Sequence, residues 1–161
     1  MDFELVGFGA ISERLESLHD CPFDLGQAQF DAESHQWLGR FLRPVWEAPE
    51  AQHRRRAILI MESRLPVVEV RLRLRAITTV RIVDDQGIGR YTFNRVERIK
   101  GGLQLVFNER LKVEMTIEGE PTATYEEAAM VDIWAEYRQV LLVQTGPTLR
   151  FAPGTSTRWA V

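Results

Sequence analysis

Apolar and charged residues alternate through residues 68–76, where the two classes change places at nearly every step. Successive side chains of a β-strand point to opposite faces, so this alternation separates an apolar face from a charged face. The apolar face holds Val68, Val70, Leu72, Leu74 and Ala76, and the charged face holds Glu69, Arg71, Arg73 and Arg75. We therefore predict a long strand over Pro66–Val83, in an antiparallel sheet with one face on a core and one in water.

The same two-residue period recurs along the chain. Further predicted strands are Phe23–Phe30, Gln36–Leu42, Arg55–Glu62, Arg90–Ile99 and the alternating stretches 103–107 and 111–117. Turn-forming residues separate them at Asp31–Ser34, Asp84–Gly89 and Gly101–Gly102. The predicted fold class is α+β, with a twisted antiparallel β-sheet or partly open barrel of about seven strands in a meander. Arg55–Glu62 has apolar residues at odd and even positions and is predicted to be buried on both faces.

Two segments have the spacing of amphipathic helices. Ser12 can cap a short N-terminal helix whose apolar side would hold Ile11, Leu15 and Leu18. In the tail, Thr124–Glu127 has the sequence of a capping box, in which a hydroxyl and a carboxylate satisfy free amides of the first turn. The apolar residues that follow at helical spacing are Met130, Ile133, Trp134 and Tyr137. We predict a C-terminal helix over Tyr125–Arg138 that packs on the open face of the sheet.

Length and cysteine content define the broad class. A chain of 161 residues predicts a single domain, 1–161, that can bury a core without help from disulfides or metals. Cys21 is the only cysteine and cannot form a disulfide within the chain, which favours a reducing compartment. The first five residues include two acids where a secretory signal needs basic residues, and no apolar run is long enough to span a bilayer. These features predict a cytoplasmic protein with no membrane partner.

Positive charge is concentrated in one part of a chain whose net charge is -3. Eight arginines lie between Arg54 and Arg81, where the only acidic residues are Glu62 and Glu69. Arginine presents a planar fork of hydrogen-bond donors that matches carboxylate and phosphate groups. This part of the chain is therefore a candidate surface for binding carboxylate or phosphate groups.

Three of these arginines, Arg71, Arg73 and Arg75, form a row on the charged face of the predicted strand. The row can be a solvated sheet face that pairs with acids of the neighbouring strand at 111–118. It can also be a docking surface for an acidic protein partner. Nucleic acid is disfavoured, because sheet-type nucleic-acid binders expose aromatic side chains between the basic ones. Here the interleaved residues are aliphatic and face the other way.

A second candidate surface surrounds Trp46, in the predicted loop at 43–53. Exposed tryptophan beside arginine is a common anchor of protein interfaces. The arginines that could join Trp46 in a binding patch are Arg43, Arg54, Arg55 and Arg56. The alternative interpretation is that Trp46 only fixes the loop to the core.

Motifs for catalysis or metal binding are weak. His19, Asp20 and Cys21 are consecutive, so they cannot easily converge on one ion as the spaced ligands of zinc sites do. No recognised cysteine-enzyme signature surrounds Cys21, and Asp84–Gly89 precedes a strand instead of the helix that a nucleotide loop needs. We predict no metal, no cofactor and no catalytic residue. Whether the chain is an enzyme stays open, and the residues favour a non-catalytic protein.

Short strings of sequence give the chain a resemblance to a class of small bacterial β-rich proteins. One is Leu18–Cys21, ahead of the predicted hairpin, and the other is Ile82–Tyr91, which runs into Phe93 and Asn94. Some members of that class resemble immunity proteins, which neutralise a partner toxin. The resemblance therefore implies a role in protein binding.

Two functions follow from these observations. The favoured one is a non-catalytic protein-interaction module, immunity-like or adaptor-like, that binds an acidic protein partner through its basic sheet face. The alternative is a small-molecule-binding protein or enzyme with a pocket between the curved sheet and the C-terminal helix, lined by Tyr91, Phe93 and Trp134. The oligomeric state is open, because the basic region of one copy could face the acidic remainder of another in a homo-oligomer.

Overall fold

The computed structural model describes residues 2–140 and 143–151 and, within them, the side chains outside 129–132, 146 and 151. Antiparallel sheet dominates, as the alternating sequence predicts, and one helix, α1 (Gly7–Leu15), continues into a 3-10 turn at Glu16–Leu18. The ten strands of the described residues are β1 (Asp2–Val6), β2 (Pro22–Asp24), β3 (Gln29–Asp31), β4 (Gln36–Pro44), β5 (Gln52–Ala57), β6 (Ile60–Asp84), β7 (Arg90–Ile99), β8 (Gly102–Phe107), β9 (Leu111–Val140) and β10 (Val143–Phe151). The predicted number of about seven is too low.

The strands are hydrogen-bonded in the order β1-β9-β8-β7-β2-β4-β6-β5. Outside this order, β10 pairs with β9, β3 pairs with β4, and β6 also pairs with β9. The β6–β9 pairing joins the two ends of the run β9-β8-β7-β2-β4-β6, which is therefore a closed ring of six strands. β5 ends the order, and in the part of the chain that the structure describes it pairs with β6 alone.

The chain divides into two compact units, which share the long strands β6 and β9. The first unit consists of Met1–Leu42 and Val70–Glu127, and an aromatic cluster fills its core. The Phe23 ring lies 5.0 Å from the Phe41 ring and 4.7 Å from the Phe107 ring, centroid to centroid. Side chains of three different strands thus meet at one point and hold that part of the sheet together.

The second unit consists of Arg43–Glu69 and the described part of the chain from Ala128. Its buried apolar residues come from odd-numbered positions of β6 and β9, namely Leu65, Val67, Ile133 and Ala135. The even-numbered positions of the same strands point away from this core, because successive side chains alternate across a sheet. Charged residues at even-numbered positions of these strands therefore lie on the opposite face.

The N-terminal helix is present, but it begins earlier than predicted. Ile11, Leu15 and Leu18 are all buried, which confirms the predicted apolar side. Ser12 lies inside α1 instead of capping it, and the helix starts at Gly7, whose φ of +84° suits glycine. Among the described residues, no helix combines the length and the apolar character that crossing a lipid bilayer requires.

β6 contains the long predicted strand, and its alternation holds along the arginine row. Buried apolar residues at 70, 72 and 74 alternate with exposed arginines at 71, 73 and 75. The pattern differs at both ends of the row. Glu69, predicted on the wet face, is only 6% exposed and is followed by buried Val70. After Ala76, the next buried residue is Ile77, so the inward position passes to an odd-numbered residue. Two consecutive buried residues and the φ of +62° at Ala76 are features of β-bulges, which reset the face that a strand turns inward.

The predicted strand Arg55–Glu62 is wrong, because these residues form a hairpin. β5 turns at Ile58 and Leu59 into β6, with Arg54 opposite Glu62. Ile58 is 83% exposed and Leu59 is 55% exposed, so the segment is not buried on both faces. The apolar turn lacks the glycine, proline or asparagine residues that usually mark a reversal, and its sequence therefore resembles a strand.

The predicted C-terminal helix over Tyr125–Arg138 is also wrong, because these residues belong to β9. Buried Tyr125, Ile133 and Ala135 place odd-numbered positions inward, and β9 pairs with β1, β8 and β10. Residues four apart, such as Ile133 and Tyr137, lie on one face of a helix and also on one face of a strand, so part of the apolar spacing fits both structures. Within this segment, β1 pairs with residues 125–126 and β10 pairs with residues 133–138, and these strand pairings decide between the two structures.

Candidate anion-binding site

A cavity of about 600 Å³ lies on the charged face of the second unit. This volume is within the range of sites that hold ligands. The residues that line it are Gln52, Arg54, Arg56, Glu62, Ser63, Arg64, Glu136, Tyr137, Arg138, Thr145, Thr148 and Arg150. We call this site the arginine cavity.

The strand register explains why these residues meet. Gln52 lies opposite Arg64 and Arg54 opposite Glu62 in the β5–β6 hairpin, and residues directly opposite one another share a face of the sheet. The β9–β10 pair supplies the remaining side, with Glu136 opposite Thr148. Alternation thus brings the polar side chains of four strands to one place.

The arginine cavity has an excess of positive charge, since five arginines line it against two glutamates. Arg56 pairs with Glu62 at 2.7 Å and Arg150 pairs with Glu136 at 3.1 Å, so both glutamates are already engaged. Over the described residues, no carboxylate forms an ion pair with the other three arginines, Arg54, Arg64 and Arg138. Their guanidinium groups can therefore donate hydrogen bonds to the carboxylates of a ligand.

One of the three, Arg64, is positioned by an aromatic ring. Its guanidinium carbon lies 4.6 Å from the centroid of the Trp134 ring, a cation–π contact. A guanidinium stacked on a ring is held flat while the edge of its donor fork stays available. Arg64 is thereby pre-oriented toward a ligand in the cavity.

The predicted arginine row is placed differently. Arg75 pairs with Glu4 at 3.2 Å and also donates to the Thr124 hydroxyl at 3.2 Å. Further along β6, Arg81 pairs with Glu114 of β9 at 3.4 Å, which is the cross-strand pairing expected of a solvated sheet face. The row is exposed as predicted, but the protein's own acids compensate part of its charge.

Trp46 combines the two interpretations given to it. Its ring lies 4.8 Å from the Tyr137 ring and 6.2 Å from the His53 imidazole, centroid to centroid, so the loop is fixed on one side. The residue is still 45% exposed, which leaves apolar surface on the other side. Of the arginines predicted around it, Arg43 pairs with Glu47 at 3.4 Å and Arg55 bonds to the carbonyl oxygen of Ile58 at 2.9 Å.

The predicted small-molecule pocket is not assembled as expected. Tyr91 and Phe93 are buried in the core of the first unit, whereas Trp134 belongs to the second unit. The helix that should have covered them is a strand. The buried aromatic side chains of β7 thus serve packing, and Trp134 serves the arginine cavity through its contact with Arg64.

His19 and Cys21 contact the backbone of neighbouring segments. Cys21 is buried, and its thiol lies 3.9 Å from the Ser17 carbonyl oxygen. His19 contacts the Asn94 carbonyl oxygen through Nδ1 at 3.1 Å. Among the described side chains, no group of three or more His, Cys, Asp or Glu residues could hold a metal ion.

The turn Asp84–Gly89 is organised by Tyr91. The buried Tyr91 hydroxyl donates to the Asp84 carboxylate, which also accepts from the backbone N–H of Gly87 at 2.9 Å. These hydrogen bonds lower the pKa of Asp84 below its ordinary value, and burial together with the carboxylate raises the pKa of Tyr91. Ionised Asp84 therefore stabilises the fold above about pH 3.9, and this contribution disappears as pH falls through the lowered pKa.

We expect Tyr91→Phe to raise the pKa of Asp84 toward its ordinary value, because the substitution removes the hydroxyl and keeps the ring. A carboxyl titration followed by NMR measures this pKa. Glu97 is the internal control, since its lowered pKa depends on Gln104 and Arg95. An Asp84 pKa that stays low in the variant would contradict the role assigned to Tyr91.

Three arginines of the arginine cavity, Arg64, Arg138 and Arg150, are not among the predicted site residues, and neither are its polar residues other than arginine. Arg138 falls in the segment predicted as a helix, and that assignment hid its relation to the other arginines. The signal that could have found it is the alternation of Trp134, Glu136 and Arg138 with buried odd-numbered residues.

No protein-family model, curated protein or solved structure matches the chain. The geometry of the arginine cavity is therefore the basis for its proposed function.

Proposed function

We propose that the chain is a non-catalytic binding module, adaptor-like or immunity-like, that holds an acidic segment of a protein partner in the arginine cavity. The observation that carries this proposal is the group of Arg54, Arg64 and Arg138, which line one cavity without a carboxylate partner among the described residues. The arginine row is the less suitable surface, since Arg75 of the row, and Arg81 further along the same strand, already have acidic partners.

The chemistry of the cavity supports a carboxylate ligand. Guanidinium groups bind carboxylates through two parallel hydrogen bonds, and several such groups in one open cavity match an extended acidic segment. Complementary charge also accelerates association and selects against basic partners. The single cysteine supports placing this interaction in the cytoplasm.

The composition of the lining supports binding and not catalysis. The described lining residues include no histidine, cysteine or lysine, and its two glutamates are paired with arginines. General acid–base chemistry needs a group that exchanges protons near neutral pH, and arginine stays protonated there. The lining is thus equipped to hold negative charge.

A small anionic molecule is the second candidate ligand of the same cavity. The volume of about 600 Å³ supports it, because small-molecule sites have this size. This candidate replaces the pocket predicted between the sheet and a C-terminal helix. Competition between small anions and acidic peptides separates the two candidates.

The test is binding of a fluorescent octaglutamate peptide, followed by fluorescence anisotropy. We expect the double variant Arg54→Glu/Arg138→Glu to weaken binding by at least about tenfold, because it removes two unpaired cations and adds two like charges. Arg71→Glu/Arg73→Glu is the matched control, with the same change in net charge on the arginine row. We expect the control to change affinity by less than about twofold.

Three outcomes would overturn the proposal. Equal losses in both variants would mean that the peptide responds to net charge alone, and a larger loss in the control would move the site to the arginine row. Absence of peptide binding to the unmodified protein would reject an acidic partner. Displacement of the peptide by micromolar citrate or inorganic phosphate would favour the small-anion candidate.

A further inference from the structure

We infer that the acidic partner binds as an added β-strand on the free edge of β5 and that its sequence alternates acidic and apolar residues. This inference rests on the proposed function and adds to it the mode of binding and the sequence pattern of the partner. It follows from the position of β5 in the sheet and from the different chemistry of its two faces.

β5 is an edge strand. It ends the hydrogen-bonded order of the sheet, and over residues 2–140 and 143–151 its only partner is β6. All six of its residues are exposed. An edge strand presents a row of unpaired N–H and C=O groups, which is the template on which an extended peptide can add as a further strand. Six residues give such an edge a length of roughly 20 Å.

One face of β5 is cationic. Arg54 and Arg56 point into the arginine cavity, next to Arg64 of β6. A strand added to β5 would place every second side chain beside these arginines, at the separation of about 5 Å that is typical of cross-strand neighbours. Acidic residues at those positions of the partner would form charge-assisted hydrogen bonds with the guanidinium groups.

The other face of β5 carries His53 and Arg55 and lies beside apolar side chains of neighbouring segments. His53 on this face stacks on half-exposed Trp46, and Met61 lies opposite Arg55. Met61, Arg55 and the turn residues Ile58 and Leu59 border a second cleft of about 200 Å³. The remaining side chains of an added strand would lie on this face, where apolar residues would cover Trp46 and Met61.

Charge complementarity selects this occupant over the other candidates. A second copy of β5 would bring arginine against arginine, and like charges directly opposite each other destabilise a strand pair. Residues 152–161 of this chain contain no acidic side chain, so they do not provide the complementary pattern. The backbone of an extended segment can pair with β5. If the segment alternates acidic and apolar residues, its acidic side chains lie beside the arginine cavity and its apolar side chains lie beside Trp46 and Met61.

The experiment compares peptides of identical composition by fluorescence anisotropy. One peptide alternates four glutamates with three valines, and the other carries the same residues in two blocks. We expect the alternating peptide to bind at least about tenfold more tightly, because only its pattern matches the two faces of β5. Equal affinities would overturn the inference while leaving the arginine cavity as the site of acidic binding.

Backbone methylation tests the strand addition itself. The alternating peptide is made with N-methyl groups on all glutamates or on all valines, since only every second amide of an added strand faces β5. We expect one methylated peptide to lose at least about tenfold in affinity and the other to stay within about twofold. Equal affinity of both methylated peptides with the parent would show that side chains alone hold the ligand and would overturn strand addition.

Hydrogen exchange provides an independent measurement on the protein. Alternate backbone amides of Gln52–Ala57 should gain protection when the alternating peptide binds, because they would donate to its carbonyl groups. Protection confined to other strands would contradict the inference. The proposed function fails separately, when octaglutamate does not bind or does not respond to Arg54→Glu/Arg138→Glu.

Discussion

Replacement of Phe23 by alanine is expected to lower the free energy of unfolding by about 3–5 kcal/mol, the usual cost of removing a large buried aromatic ring. Phe23 is buried, and its ring contacts Trp37, Phe41 and Phe107. The substitution leaves a cavity among rings that belong to different strands, and these strands cannot close it without disturbing their hydrogen bonds. Urea denaturation followed by tryptophan fluorescence measures the loss.

Phe30→Ala is the matched control for Phe23→Ala. Phe30 lies in the short strand β3 and is 37% exposed, so the same chemical change removes less buried surface than at Phe23. We expect the control to cost less than about 1 kcal/mol. Similar losses in the two variants would contradict the aromatic cluster as the centre of this core.

Gly102→Ala has the second largest expected effect. Gly102 lies opposite Thr116 in the β8–β9 pair, and a Cβ atom at this position would overlap the carbonyl oxygen of Met115. The overlapping atom belongs to the backbone of the neighbouring strand, so relief requires β8 and β9 to separate. We expect a loss of about 3 kcal/mol in the free energy of unfolding, at the upper end of the usual cost of overpacking.

Gly9→Ala provides the contrasting control for Gly102→Ala. Gly9 lies in α1, and no atom would be within 4 Å of an added Cβ. Alanine is more favourable than glycine inside a helix by about 1 kcal/mol, so this variant should be as stable as the parent or more stable. Chemical denaturation of both variants measures the difference. A stable Gly102→Ala protein would contradict the close approach of the two strands.

The strands were predictable where one face is buried and the other is wet. Along β6, Leu72 and Leu74 are buried between exposed arginines, as the two-residue period predicts. The period could not reveal Glu69 and Ala76, because bulges depend on how a strand meets its neighbours. The residues around Glu69 and Ala76 do not indicate which strands lie next to them in the sheet.

Helix and strand could not be separated in the C-terminal region for a similar reason. The apolar residues at 130, 133, 134 and 137 have helical spacing, although only every second position of β9 faces the core, and the polar residues at 124–127 fit a capping box. In the structure, the Thr124 hydroxyl accepts a hydrogen bond from Arg75 and the Tyr125 hydroxyl bonds to Glu127 at 3.0 Å. The first contact joins β9 to β6, and the second lies within β9. The side chains predicted to form a helix cap thus form these hydrogen bonds instead.

The candidate site was predictable in its chemistry but not in its location. The excess of arginine leads to anion binding as a hypothesis, and Arg54 is among the candidate residues. The row at 71–75 alternates regularly, which suits a docking surface, but a solvated sheet face requires the same regular alternation. The arginine cavity draws on β9 and β10, which a single strand pattern cannot connect with β5 and β6.

The reversal of β6 at Glu69 and Val70 has a consequence for how the length of this chain can vary. Odd-numbered residues face inward before the reversal and even-numbered residues face inward after it. Deleting one residue between Val70 and Ala76 would turn leucines outward and arginines inward over the rest of the strand. Deleting two residues would keep every orientation and shorten the strand by roughly 7 Å. Natural insertions and deletions in this stretch should therefore come in pairs.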